Sequence, residues 1–502
     1  MAVTVLTALI SVAVALLLIA PSHSGPDLVV LAVMLSISFT RERAGATLRE
    51  KALGAVALPL VGIGAGLVGA LLVAAPVVGA AVFVIVTSGA IWLRRFGPLA
   101  SRLGTLIALP FIAILVAPLP VRPGGFFAGW TALVALTVVV VGALLDLGAQ
   151  RLGLIPPIEA KPPDPAPRVP AAMTGRRRIA ASTRMAAQMA VALGVAFPLG
   201  HLAFGEHWPW LVLTAYIVSS GNRGRGDVVY KGVLRILGAL GGVVIGTLLA
   251  LIGHHGDPLL LLALGVVIVA ALWLRPLNYA WWAAGVTAAL ALLYDYVGST
   301  SSDALLIRLI AIAVGGVIAV LSAWFVLPVR TVDVVRRRVA DVLAAVSGVL
   351  GELLEVGASS DVQESDQAAA AARAAALRDR WREYTSALAR LREVSPALRA
   401  HRVAIRRGAG DAHPAALVDL LVLMEEPLAV LVETAREGVV PRGAVGRAAK
   451  RTGEARRVLG GREVPDGGVR QQLEPADPPS RAAARLVSTL DALMPSLAAL
   501  RR

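Results

Sequence analysis

Six basic residues carry the chemistry that this sequence suggests: Lys51, Arg223, Arg225, Lys231, Arg235 and Arg308. Four of them crowd into one stretch. It follows an apolar run opened by Trp208 and Trp210, and it leads into an apolar segment with Gly238, Gly242 and Gly246 at four-residue spacing. Such a cluster raises the local concentration of anions, so the chemistry it suits is capture of a negatively charged substrate. Arg235 and Lys51 each enter an apolar helix directly. A basic side chain there must snorkel, pair, or face a wet path. Arg308 starts another apolar helix beside Asp295 and Asp303, where it reads as an ion pair at an outer mouth or as a substrate exit residue. Topology alone accounts for many of these charges, because loops on the inner side collect Lys and Arg.

Other chemistries find little support. There is no cysteine, so disulfides, iron–sulfur clusters and thiol catalysis are excluded. No Walker phosphate loop, H-E-x-x-H or G-x-S-x-G occurs. The glycines of Gly221-Asn-Arg-Gly-Arg-Gly226 have the wrong spacing for a dinucleotide fingerprint and read as a tight turn. His254, His255 and Asp257 share one short loop, which rarely supplies the converging ligands that a metal needs. His201, Glu206 and His207 flank the short apolar run and read as a solvated loop. No catalytic residue, metal or cofactor is expected, and the chain does not read as an enzyme.

The elements that must position the cluster are membrane helices. Of the 502 residues, 57% are hydrophobic and 16% charged, against about 25% charged in soluble domains. Apolar segments fall near 3–20, 27–40, 52–74, 76–93, 103–119 and 126–147, and again near 184–203, 208–220, 233–253, 258–274, 279–297 and 305–327. Segment 1–20 lacks a positive n-region, so it reads as a span rather than a leader. The net charge of +15 does not imply nucleic acid: residues 1–328 hold 21 Lys+Arg against 11 Asp+Glu, and these alternate from loop to loop. Only Arg122 and Arg308 fall on the outer side. The pattern follows the positive-inside rule and contact with anionic lipid. Runs 27–40 and 208–220 are too short for a full span of roughly 20 residues. Paired short segments in corresponding positions point to a transporter's binding site.

The two halves echo each other. Ala90-Ile-Trp-Leu-Arg94 parallels Ala271-Leu-Trp-Leu-Arg275 at an offset of 181, which Gly104 and Gly285 keep. Lys51-Ala-Leu-Gly54 parallels Arg235-Ile-Leu-Gly238, and Pro26 parallels Pro209. The expected fold is all-α: a polytopic membrane protein of two parallel six-helix repeats, about twelve transmembrane helices, with a C-terminal cytoplasmic helical domain. The expected domains are a first repeat at 1–150, a Pro-rich basic cytoplasmic linker at 151–181, a second repeat at 182–328 and the helical domain at 329–502. In that last part 366–400 is rich in helix formers, a helix near 411–438 is interrupted at Pro427, and 460–480 is loose.

The second repeat resembles the fusaric acid resistance and aromatic acid exporter family. The residues that carry this are Trp208-Pro-Trp-Leu-Val-Leu-Thr-Ala-Tyr-Ile-Val218, the basic turn, Lys231-Gly-Val-Leu-Arg235-Ile-Leu-Gly238-Ala-Leu-Gly241-Gly242, Arg308 ahead of Gly315-Gly316, and Leu327-Pro-Val-Arg330. The resemblance implies an efflux permease of the bacterial inner membrane for aromatic carboxylates or related acids. Plant malate channels are similar at a distance, which keeps an anion channel open. A membrane scaffold whose helical tail is an interaction platform is the other alternative. This chain has only a Pro-rich linker where the family often has a soluble domain between its bundles. The expected partners are the lipid bilayer and a small organic anion, with no nucleic acid. Homo-oligomerisation, the coupling ion and the substrate's identity are left open. Both termini are expected on the cytoplasmic side.

Overall fold

The computed structural model describes residues 6–7, 9–14, 32, 35–36, 38, 48–116, 127–152, 179–251, 255–296, 302–360, 367–404, 413–462 and 477–500. Among these there is no strand. The chain divides into two compact units, Met1–Val329 and Arg330–Arg502.

Beyond the helical residues before 40, the described part of the first unit has ten helices: α1 (Leu48–Ala74), α2 (Pro76–Leu93), α3 (Pro98–Val116), α4 (Phe127–Arg151), α5 (Ala181–Phe204), α6 (Trp208–Ser219), α7 (Arg225–Ala250), α8 (Pro258–Leu274), α9 (Tyr279–Tyr296) and α10 (Ser302–Phe325). Each overlaps one of the apolar segments read from the sequence. Segments 3–20 and 27–40 fall for the most part outside the described residues, as does the Pro-rich stretch 156–170. Among the described residues six stretches are long and apolar enough to cross a membrane: Gly54–Ala74, Pro76–Phe96, Ala132–Arg151, Ala181–Ser219, Arg225–Ala250 and Leu306–Phe325. Leu99–Leu115 and Pro258–Leu274 are apolar but shorter.

Glycine decides how closely these helices approach. A Cβ on Gly238 would lie 2.6 Å from the Ala280 carbonyl oxygen, and one on Gly242 would lie 2.4 Å from that of Ala284. One on Gly246 would meet the Ala291 methyl at 2.9 Å. The four-residue stripe thus seats α7 against α9, backbone to backbone, as small residues do between membrane helices. Gly315 does the same for α10 on α6, its Cβ position lying 2.4 Å from the Leu211 carbonyl oxygen. Two further contacts sit at equivalent places in the two halves. A Cβ on Gly104 of α3 would fall 2.2 Å from the Ala90 carbonyl oxygen of α2, and one on Gly285 of α9 would fall 2.2 Å from the Ala271 methyl of α8.

The second unit has seven helices: α11 (Thr331–Ser360), α12 (Gln367–Arg392), α13 (Ser395–Ala404), α14 (Pro414–Leu423), α15 (Glu425–Arg436), α16 (Arg442–Leu459) and α17 (Pro478–Ala499). Along α11 the buried positions Val335, Val339, Val342, Val346, Val349 and Leu353 repeat at three- and four-residue spacing, which lays one apolar stripe on a single face. They share a core with Leu388, Leu421, Leu431, Leu486, Leu490 and Leu497. The expected interruption at Pro427 falls elsewhere. The chain breaks at Met424, and Pro427 sits in the first turn of α15, where its missing N–H leaves no bond unmade. Residues 463–476 of the stretch expected to be loose lie outside the described residues.

Two predictions follow from this packing. Gly242→Ala should lower stability by about 1–3 kcal/mol, because a backbone carbonyl stands where the methyl must go. Gly241→Ala, with nothing within 4 Å of its Cβ position, should be neutral or stabilising by up to about 1 kcal/mol. Thermal unfolding in detergent compares them, and equal effects would contradict the packed stripe. The other concerns His413, whose Nδ1 accepts the Ala415 N–H at 3.1 Å and caps α14. Burial pushes its pKa down, helped by the charges of His401 and Arg402. With the folded value below the unfolded one, of about 6.5, the cap's contribution is present above the unfolded value and lost as pH falls through the folded value. Protection of the amides of residues 415–421, referred to the intrinsic exchange rate at each pH, should therefore fall on acidification below about pH 6.5, and His413→Asn should abolish that dependence.

Candidate anion site in the second bundle

Helix α6 is the local centre. Its 12 residues span about 18 Å, well short of the roughly 30 Å hydrocarbon thickness. From Pro209 to Ser219 every residue but Ile217 is buried. It packs on α5, α10, α3 and α7, so the short segment is enclosed by protein rather than lipid. A 3₁₀ turn, Gly205–His207, precedes it. Trp208 stacks on the His201 ring, the centroids 4.5 Å apart.

The turn after α6 is held by the basic residues themselves. Gly221 (φ 63°) and Gly224 (φ 140°) take backbone conformations that favour glycine. Asn222 Nδ2 donates to the Ser219 carbonyl at 2.7 Å, and Asp227 accepts the Arg223 N–H at 3.1 Å. Lys231 pairs with Asp227 at 3.0 Å and donates to the Gly221 carbonyl at 3.1 Å. The Arg225 guanidinium lies 5.2 Å from the centre of the Trp324 ring, and its backbone N–H donates to the Val329 carbonyl at 3.2 Å. The helix begins at Arg225, earlier than the apolar run from 233, because Asp227 supplies a negative group in its first turn. Arg225 and Lys231 therefore stand on the same helix as the glycine stripe and organise the turn.

Arg235 is different. It falls on the inward face of α7 with Gly232, Ala239, Gly242 and Gly246, and only 1% of its surface is exposed. It does not snorkel. Its Nε and Nη2 have no hydrogen-bond acceptor. Arg308 lies on the corresponding face of α10, in line with Ala311, Gly315 and Ala319, and is 5% exposed. The expectation of an outer-mouth ion pair with Asp295 is not met: no described ion pair joins them, and Asp295 is engaged by His255. The Arg308 guanidinium instead lies flat on Trp210 of α6, 3.4 Å from the ring centre. Its Nε and Nη2 also lack an acceptor. Arg235 and Arg308 are close enough to feel each other's charge, with Tyr279 beside the first and Tyr294 beside the second. The hydroxyls of Thr214 on α6 and Thr287 on α9 are likewise buried without a partner.

The six residues from the sequence thus separate into groups. Arg223, Arg225 and Lys231 gather at the α6–α7 turn. Arg235 and Arg308 converge in the interior. Lys51 stands in the first turn of α1, and its side chain is outside the described residues. Among the described helices α1 packs on α2, α3 and α4 and not on α7, so the helix of Lys51 does not reach that of Arg235. Trp210, Tyr279 and Tyr294 were not singled out by sequence. Trp210 is buried, whereas Trp281 and Trp324 are about half exposed.

Two buried guanidinium groups with spare N–H donors have the charge and the donors that an anion needs. Burying an unpaired charge costs several kcal/mol, and a carboxylate returns much of that through charge-assisted hydrogen bonds. Among the described residues no cluster of His, Cys, Asp and Glu is arranged to hold a metal. None of the curated proteins and none of the solved structures matches the chain. Residues 189–322 match the family model described as fusaric acid resistance protein-like. That match contains α6, α7, Arg235 and Arg308 together, and over it the chain is similar to the fusaric acid resistance protein-like family.

Proposed function

We propose that this chain is an efflux permease of the bacterial inner membrane for small organic anions such as aromatic carboxylic acids, driven by an ion gradient. The family points to membrane transport or resistance. The observation that carries the finer reading is the pair Arg235 and Arg308, each on the inward face of its helix and each with two nitrogens lacking an acceptor. A carboxylate meets both needs of this pair, charge and hydrogen bonds. The inner cluster of Arg223, Arg225 and Lys231 gathers the anion at the mouth. Lys51 would do so from the first repeat.

In this reading twelve helices form two parallel repeats. The matching contacts of Gly104 with Ala90 and of Gly285 with Ala271, both at an offset of 181, support that arrangement. The unit Arg330–Arg502 then faces the cytoplasm as a helical domain. An anion channel is the second reading. It is favoured by the acidic residues: among those described in the first unit only Asp227 is buried, and Lys231 neutralises it. A proton-coupled carrier usually keeps an intramembrane carboxylate relay.

Uptake into inverted vesicles, with a panel of aromatic acids, tests the site. Arg235→Gln and Arg308→Gln should each lower transport about 10- to 100-fold, the equivalent of losing one charge-assisted hydrogen bond of roughly 1.5–3 kcal/mol. Lys231→Gln should act through folding yield more than through rate per folded molecule. Wild-type rates in both arginine variants would refute the assignment. Unitary currents in a planar bilayer would favour the channel, and saturable flux without them the carrier.

A further inference from the structure

The two arginines pose a problem that an organic substrate alone does not solve. A carrier spends part of each cycle without its substrate, and Arg235 and Arg308 are buried in the bundle throughout the arrangement seen here. Their charges add rather than cancel, and among the described residues no buried carboxylate stands free to offset them. Every unpartnered nitrogen of the pair is a donor: Nε and Nη2 of Arg235, and Nε and Nη2 of Arg308. The hydroxyls of Thr214 and Thr287, on helices packed against α10 and α7, add further unpartnered polar atoms. Trp210 covers one face of the Arg308 guanidinium, so an anion approaches that group along its N–H edge.

We propose that a small inorganic monoanion of the halide class occupies the field of Arg235 and Arg308 between turnovers, and that the organic anion crosses in exchange for it. The proposal rests on reading these two arginines as the substrate site. A halide fits because it accepts several N–H and O–H donors from any direction and demands no planar, bidentate geometry. Its single charge offsets part of the repulsion between the guanidinium groups and is displaced by a single carboxylate. The exchange is electroneutral, one organic monoanion outward for one halide inward. The halide gradient then drives the flux, and no proton relay is required.

The experiment uses the full chain, purified in detergent, with thermal unfolding followed in sodium chloride, sodium bromide or sodium gluconate at constant ionic strength. Chloride and bromide should raise Tm in a saturable way relative to gluconate. Sodium benzoate should also raise it, and the two shifts should compete rather than add. In Arg235→Gln/Arg308→Gln, which removes the buried charges and keeps a polar side chain of smaller volume, both responses should vanish. In liposomes loaded with radiolabelled chloride, external benzoate should accelerate chloride release several-fold through the wild type and not through the double variant. An equal chloride response in the double variant, additive shifts, or chloride release indifferent to benzoate overturns the proposal. Protection by benzoate alone, lost in the double variant, overturns the resident halide and leaves the substrate site standing. No response to either anion removes both.

Discussion

A guanidinium group buried without a partner sets the terms for the second bundle. It loses hydration worth several kcal/mol, and a protein tolerates that only where surrounding helices hold the group in place. Arg235 on α7 and Arg308 on α10 meet this condition. Each lies on the same inward stripe as the small residues that bring its helix close to a neighbour. The glycines of α7 let α9 approach to backbone contact, and Gly315 lets α10 approach α6. Close packing and buried charge are therefore one arrangement. Trp210 completes it, giving the Arg308 plane an aromatic face in place of water.

The remaining basic residues solve a different problem. Lys231 is tied to Asp227 and to the Gly221 carbonyl, and so closes the turn that ends the short helix. Arg225 rests on Trp324, as Arg95 rests on Trp92 and Arg275 on Trp282 at 5.2 Å. These groups keep access to water, where a pair contributes about 1 kcal/mol or less. Their value lies in fixing turns and in biasing which side of the membrane a loop occupies. The same residue type thus holds a turn at a helix end and stands without an acceptor inside the bundle, and depth decides which.

The end of α10 is secured with comparable care. Gln188, buried on α5, donates to the Val326 and Leu327 carbonyls at 3.0 and 3.2 Å. Leu327 is held at φ 43°, a left-handed conformation that a residue with a Cβ adopts at some cost. The hydrogen bonds from Gln188 and from the Arg225 backbone to Val329 hold that stretch. Beyond it the unit Arg330–Arg502 has its own apolar core, from Val335 on α11 to Leu497 on α17.

The sequence by itself determined the helices of the first unit, because a bilayer demands long apolar runs and loop charges mark their ends. It also determined that Gly238, Gly242 and Gly246 pack a neighbour, since only small residues at that spacing let two backbones touch. The family resemblance rested largely on residues 208–242, which lie within the matched stretch. Tertiary structure decided which cations matter. In the sequence, Arg235 differs from Lys231 only in entering the apolar helix directly. One helical turn separates them on the same face, yet Lys231 stands near enough to the helix start to reach Asp227 and the Gly221 carbonyl, whereas Arg235 lies a turn deeper and is enclosed by the core. Arg308 read as an ion pair at an outer mouth, beside Asp295 and Asp303, or as a substrate exit residue. Its burial on Trp210 depends on α6 and α10 lying side by side, residues distant in the chain brought together by Gly315. Local spacing fixes which face a residue occupies, and only the packing of distant helices fixes whether that face meets water, lipid or another charge.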